Sequence, residues 1–132
     1  MPTVRWSLDR PGLTSGFVPD KVAEDLDFVS VQLSPKKGKV KEALDTLAGF
    51  AVGKPVLVEE TFPLACSAQE LEDFIDRSKK DAAGWLGFYW GKPPDELRRS
   101  KAIADAMTLS WLELFERKAP SILGEPGAGA PR

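Results

Sequence analysis

Two adjacent acids, Glu59 and Glu60, close a short apolar run in the segment Lys54-Pro-Val-Leu-Val-Glu-Glu-Thr-Phe62. A second apolar run, Gly84-Trp-Leu-Gly-Phe-Tyr-Trp90, ends in aromatic residues followed by Gly91. Carboxylates can serve as acids, bases and nucleophiles, and an indole face suits the apolar C–H face of a pyranose ring. Together they point to chemistry on a sugar. The chain has no histidine. That excludes a Ser-His-Asp triad, a Cys-His pair and a His-ligated zinc site built from this chain. Proton chemistry near neutral pH falls to carboxylates, lysines and the single tyrosine, Tyr89. No metal or organic cofactor is implied.

These groups need elements to position them. Thr3 to Trp6 reads as a short strand, and Phe28-Val-Ser-Val-Gln-Leu33 as a β-branched strand stopped by Pro35. Pro55 to Val58 and Gly84 to Trp90 are further strands, apolar throughout as strands buried on both faces are. Between them lie helical patterns. Pro19 to Leu26 forms a short helix with proline in its first turn. Lys39 to Phe50 places Val40, Ala43, Leu44 and Leu47 on one stripe. Ser67-Ala-Gln-Glu70 is a capping box opening a helix with Leu71, Phe74, Ile75 and Ser78 on one face. Pro93-Pro94-Asp95 starts another helical region. From Ala102 to Lys118, Ile103, Ala106, Met107, Trp111, Leu114 and Phe115 recur at helical spacing. Residues 120–132, rich in Gly, Ala and Pro, predict a disordered tail behind a domain spanning 1–119.

Strands alternating with helices predict an α/β fold, with parallel strands joined by right-handed crossovers. A doubly wound nucleotide-binding sheet shares that rhythm. No glycine-rich phosphate loop follows any strand, and Ser7-Leu-Asp-Arg10 is a poor substitute for a flavodoxin-like loop. In β/α barrels the functional groups sit at the C-terminal ends of strands. Those ends are Trp6, Gln32 to Ser34, Glu59 to Thr61, and Tyr89 to Gly91.

At these positions the chain resembles clan A glycoside hydrolases, notably family five, the cellulases and β-mannanases. Lys54-Pro-Val-Leu-Val-Glu-Glu60 looks like their seventh barrel strand, and counting from Pro55 places Glu60 at the nucleophile. Gly84 to Trp90 is similar to the eighth strand, whose last Trp floors the sugar site; Trp90 matches it. Asp27 to Pro35 resembles the sixth strand, with Gln32 and Ser34 where the family often has His and Tyr. Thr3 to Trp6 would end the fifth. The resemblance implies a partial (β/α)8 (TIM) barrel, strands five to eight with their helices, over roughly residues 3–118. A full barrel needs ~250 residues. The family's general acid/base Glu, usually after Asn, ends strand four; this chain has no Asn and no counterpart of strands one to four.

The implied function is that of a fragment or half-barrel of a retaining β-glycosidase acting on β-linked oligo- or polysaccharide. It carries the nucleophile position, Glu60, without the acid/base. Trp90, Tyr89, Trp6 and Gln32 would bind substrate. Glu59 would not serve as second carboxyl, because adjacent strand residues point to opposite faces. The alternative is a non-catalytic carbohydrate-binding or remnant β/α domain. Either reading leaves room for a homodimer, a separate N-terminal half, or a truncated reading of a longer gene. Trp85 and Trp111 read as packing, Cys66 as a buried filler, and Asp9 and Arg10 as minor candidates in the loop after the first strand.

The net charge of −2 offers no electrostatic case for nucleic acid. Lys36, Lys37, Lys39 and Lys41 read as a solvated loop and helix start. Cys66 is the single cysteine, so no intrachain disulfide can form. No apolar run approaches the ~20 residues of a membrane span, and with Met1 as the start no signal-peptide core is present. The expectation is a cytoplasmic product without a membrane partner, although a longer parent could be secreted.

Overall fold

The structure is a computed structural model and describes residues 5–7 (backbone only) and 18–123. The elements in order are β1 (Arg5–Ser7), α1 (Pro19–Val22), a 3-10 turn (Ala23–Asp25), β2 (Val29–Gln32), α2 (Val40–Ala48), β3 (Val56–Glu59), α3 (Ala68–Ser78), β4 (Gly84–Trp85), α4 (Pro94–Arg99) and α5 (Ile103–Leu123). The strands form one parallel sheet in the order β1-β2-β3-β4. The fold is thus mixed α/β with a small parallel sheet.

The strand order is also the chain order. Right-handed crossovers then place successive helices on the same side of the sheet, and α2 packs against α3. The described sheet has no reversal of the kind at which open doubly wound sheets bind nucleotides. Among the described residues, no helix is long and apolar enough to cross a membrane.

The chain divides into two compact units, Met1–Phe88 and Tyr89–Arg132. In the first, Val29 and Val31 of β2 and Val56 and Val58 of β3 are buried almost completely. In α2 the buried residues are Ala43 and Leu47, and in α3 they are Leu71, Phe74, Ile75 and Ser78. Burying each of the Val, Leu, Ile and Phe side chains among these contributes ~1.5–3 kcal/mol. The capping box forms as its sequence predicts: Glu70 N–H donates to Ser67 Oγ at 3.1 Å, and Ser67 N–H donates to Glu70 Oε2 at 2.9 Å. Glu70 Oε1 also accepts the Gly38 N–H at 2.6 Å, and Lys37 N–H donates to the Ala65 carbonyl at 2.7 Å. The loop before α2 is therefore stitched to the loop that opens α3.

The last strand differs from the sequence reading. The strand expected over 84–90 is only Gly84–Trp85. Its ladder persists to Leu86, whose N–H donates to the Val58 carbonyl at 2.8 Å and whose carbonyl accepts from Thr61 N–H at 3.0 Å. Strand β3 itself ends at Glu59, so the residues beyond Leu86 have lost the neighbour that would keep them extended. The side chain of Trp85, read as packing, is half-buried and donates from Nε1 to Ser78 Oγ at 3.0 Å.

In the second unit, α4 packs against α5, and Leu97 and Leu114 are buried. Arg98 of α4 reaches Glu113 and Glu116 of α5 at 3.7 and 4.0 Å. The apolar stripe read along α5 is buried at Leu114, Trp111 is half-buried, and Ile103 and Met107 are exposed. Helix length explains this: at 1.5 Å per residue α4 is about 9 Å long and α5 about 31 Å. Helix α5 also runs through Pro120 to Leu123, so residues 120–123, assigned above to the tail, are helical. The remainder of that tail, 124–132, lies outside the described residues.

Candidate functional site

Strands β2 and β3 run in parallel with Gln32 opposite Glu59 at their C-terminal ends. Extended geometry stops there. Glu60 has φ +52°, in the left-handed region, and is the sole non-glycine residue there among those described. A β-carbon in that region crowds the following carbonyl, at a cost of roughly 1–2 kcal/mol. The opposite-face rule for neighbours applies along an extended strand, so it does not govern Glu60 relative to Glu59.

The turn brings the Glu60 carboxylate to the end of β2. Gln32 Nε2 donates to Glu60 Oε2 at 2.6 Å. The Gln32 amide thus reaches the acid one residue beyond its register partner, Glu59. Ser34 holds the main chain on both sides of the turn. Its hydroxyl accepts the Phe62 N–H at 3.2 Å and donates to the Glu60 carbonyl at a longer 3.4 Å. From the other direction, Thr61 N–H is tied to Leu86, and the Thr61 side chain is fully buried.

Glu60 opens into a hollow of about 280 Å³ lined by Gln32, Ser34, Lys36, Phe62 and Phe88, among others. Phe88 and Leu64 are largely exposed at its border. Among the described lining residues, Glu60 is the one carboxylate and Lys36 the one cation. A carboxylate held by an amide, beside an apolar ring, can stabilise or attack an electron-poor carbon. Among the described residues, no cluster of three or more acids or cysteines is arranged to hold a metal ion.

Tyr89 and Trp90 open the second unit and border a different hollow, of about 530 Å³, with Pro93, Leu112, Phe115 and Glu116. The Tyr89 hydroxyl donates to the Lys92 carbonyl at 3.0 Å. A β-carbon at residue 91 would lie 2.5 Å from that hydroxyl, so a larger residue there would have to displace the Tyr89 ring. Lys92 pairs with Asp105 at 2.7 Å, and the pair raises the lysine pKa and lowers that of the aspartate. Trp90 is 95% exposed.

Of the candidate site residues, Gln32 and Glu60 are brought together. Trp6 lies in β1 opposite Val31; its side chain is outside the described residues, as are Asp9 and Arg10. Cys66 is half-buried, and burial, helped by the nearby Glu70 charge, pushes its thiol up to about 11. The sequence reading missed Phe88 and Lys36 as lining, and it missed the clamp made by Ser34. Ser34 was already among the strand-end residues, so its position carried a signal, but a bond from β2 to the chain beyond β3 does not show in local sequence. No family model, curated protein or solved structure matches the chain.

Proposed function

We propose that the chain is the C-terminal half of a β/α barrel of the retaining β-glycosidase type, with Glu60 as the nucleophile. The observation that carries this reading is the left-handed Glu60 at the end of β3, its carboxylate hydrogen-bonded to Gln32 within a hollow. Strained backbone at an acid is a recurrent mark of a functional position. A parallel sheet wound in chain order, with the acid at a C-terminal strand end, also fits a barrel. The substrate class is β-linked oligo- or polysaccharide. The acid/base and the first four strands would come from a separate N-terminal half, or a second copy would supply the missing closure.

Retaining hydrolysis needs two carboxyls ~5–5.5 Å apart, one as acid and one as nucleophile. With the nucleophile alone, a leaving group that departs without protonation can still be displaced. The Glu60 carboxylate would attack the anomeric carbon of a 2,4-dinitrophenyl β-glycoside. A glycosyl ester forms, the C–O bond to the aryl group breaks, and dinitrophenolate leaves with the electron pair. A 2-fluoro sugar slows hydrolysis of that ester, so the adduct accumulates for mass spectrometry. The expected result is one glycosyl adduct on the peptide containing Glu60, absent from Glu60→Gln. No adduct with either glucosyl or mannosyl reagents would end the nucleophile reading.

A second reading has its own support in the nearly complete exposure of Trp90. An indole presented this way suits a carbohydrate platform without turnover. Polysaccharide binding that survives Glu60→Gln and is lost in Trp90→Ala, without any adduct, would favour it.

A further inference from the structure

We propose that Ser34 is a positioning residue that latches the left-handed turn at Glu60, a role that rests on Glu60 being the nucleophile. Glutamate has no intrinsic preference for this conformation. Neighbours must hold it, and two sides of the turn converge on one hydroxyl. The Ser34 oxygen accepts the N–H of Phe62, two residues after Glu60, at 3.2 Å, and the hydroxyl donates to the carbonyl of Glu60 itself at 3.4 Å. The hydroxyl's one donor and one of its two acceptor sites are used.

Gln32 does a different job. It bonds the carboxylate, whereas Ser34 bonds the main chain of the turn. Gln32 therefore orients the reacting oxygen, and Ser34 fixes the backbone from which that oxygen projects. Ser34 can do so because it is anchored: Pro35 follows it and is fully buried, and the loop beyond is tied through Lys37 to Ala65 and through Gly38 to Glu70. Without the hydroxyl the turn loses both of these ties, and Glu60 can relax toward ordinary backbone, which swings its carboxylate from its place beside Gln32.

The test is the trapping reaction with 2,4-dinitrophenyl 2-deoxy-2-fluoro-β-glycosides, followed by dinitrophenolate release and mass spectrometry on wild type, Ser34→Ala, Ser34→Thr and Gln32→Ala. Displacing a reacting atom by about 1 Å can lower a rate about 100-fold. Ser34→Ala should therefore lose about 10- to 100-fold in trapping rate at saturating reagent, with the half-saturating concentration nearly unchanged. Ser34→Thr keeps the hydroxyl and should restore most of the rate. A circular dichroism melt on each variant separates a lost latch from a lost fold. Equal trapping in wild type and folded Ser34→Ala overturns the latch and leaves the nucleophile reading intact. A rate lost equally in Ser34→Thr overturns it too, since the hydroxyl would not be the cause. Should wild type itself remain unlabelled, the nucleophile reading fails, and the role of Ser34 fails with it.

Discussion

The ends of β3 and β4 diverge although their sequences look alike. Each is an apolar run that finishes in residues proposed for a sugar site. At the end of β3, Glu60 is drawn into the structure by Gln32, Ser34 and the chain that follows. At the end of β4, the ladder is exhausted at Leu86, and the aromatic residues that follow are partly or wholly in solvent. A polar side chain is placed by directional bonds, which the neighbouring strand can supply. An aromatic side chain is placed by surrounding surface, which must come from several directions at once.

That contrast can be broken from the core outward. Phe74 of α3 is fully buried in the first unit, so Phe74→Ala should cost about 3–5 kcal/mol, read as a lower urea midpoint. Phe88 is 63% exposed, and Phe88→Ala should stay within about 0.5 kcal/mol. Equal losses at the two sites would erase the distinction. At the β4 end, Gly91→Ala must push the Tyr89 ring aside and give up its bond to Lys92, at a cost of about 1 kcal/mol. A urea melt of the whole chain would register that change. Trp90→Ala should leave the unfolding free energy within about 0.5 kcal/mol of unchanged while lowering polysaccharide affinity, measured by affinity electrophoresis.

The smallest expected effect sharpens the contrast through pH. Hydrogen bonds from the Ser67 and Gly38 main chains, then from the Ser67 hydroxyl, lower the Glu70 pKa below its ordinary value. The folded state therefore holds the carboxylate ionised more readily than the unfolded chain does. This contribution is present above the unfolded carboxylate pKa and is lost as pH falls through the lower folded value. Melting temperature should decline with acidification through that window, and Glu70→Gln should flatten the slope. A slope unchanged in Glu70→Gln would show that the loop stitch has no share in it. Asp105, lowered by the Lys92 hydrogen bond, acts in the same direction in the second unit.

Local pattern made much of the first unit legible. The capping box at Ser67 and Glu70 and the α3 face of Leu71, Phe74, Ile75 and Ser78 could be read directly, because each depends on spacing within one helix. The strand ends that gather Gln32 and Glu60 followed from the parallel order of the strands. What local pattern could not contain was the partner. The left-handed turn at Glu60 has no signature in a glutamate, and the Ser34 bonds join residues more than two dozen positions apart. Leu86 to Trp90 has strong strand character, yet strand pairing is a property of two segments. The α5 stripe misled for the same reason: periodicity marks an apolar face, and the shortness of α4 limits how much of it is covered.

The stitch between the loops before α2 and α3 has a consequence for proteases. Lys36, Lys37, Lys39 and Lys41 make this the most trypsin-inviting segment by composition, and all four side chains are exposed. Cleavage, however, requires the main chain to be drawn out into an extended form, which means opening the Lys37–Ala65 and Gly38–Glu70 bonds together. The lysine loop should therefore be cut slowly for its sequence, at a rate following how often this stitched region opens rather than how many basic residues it displays.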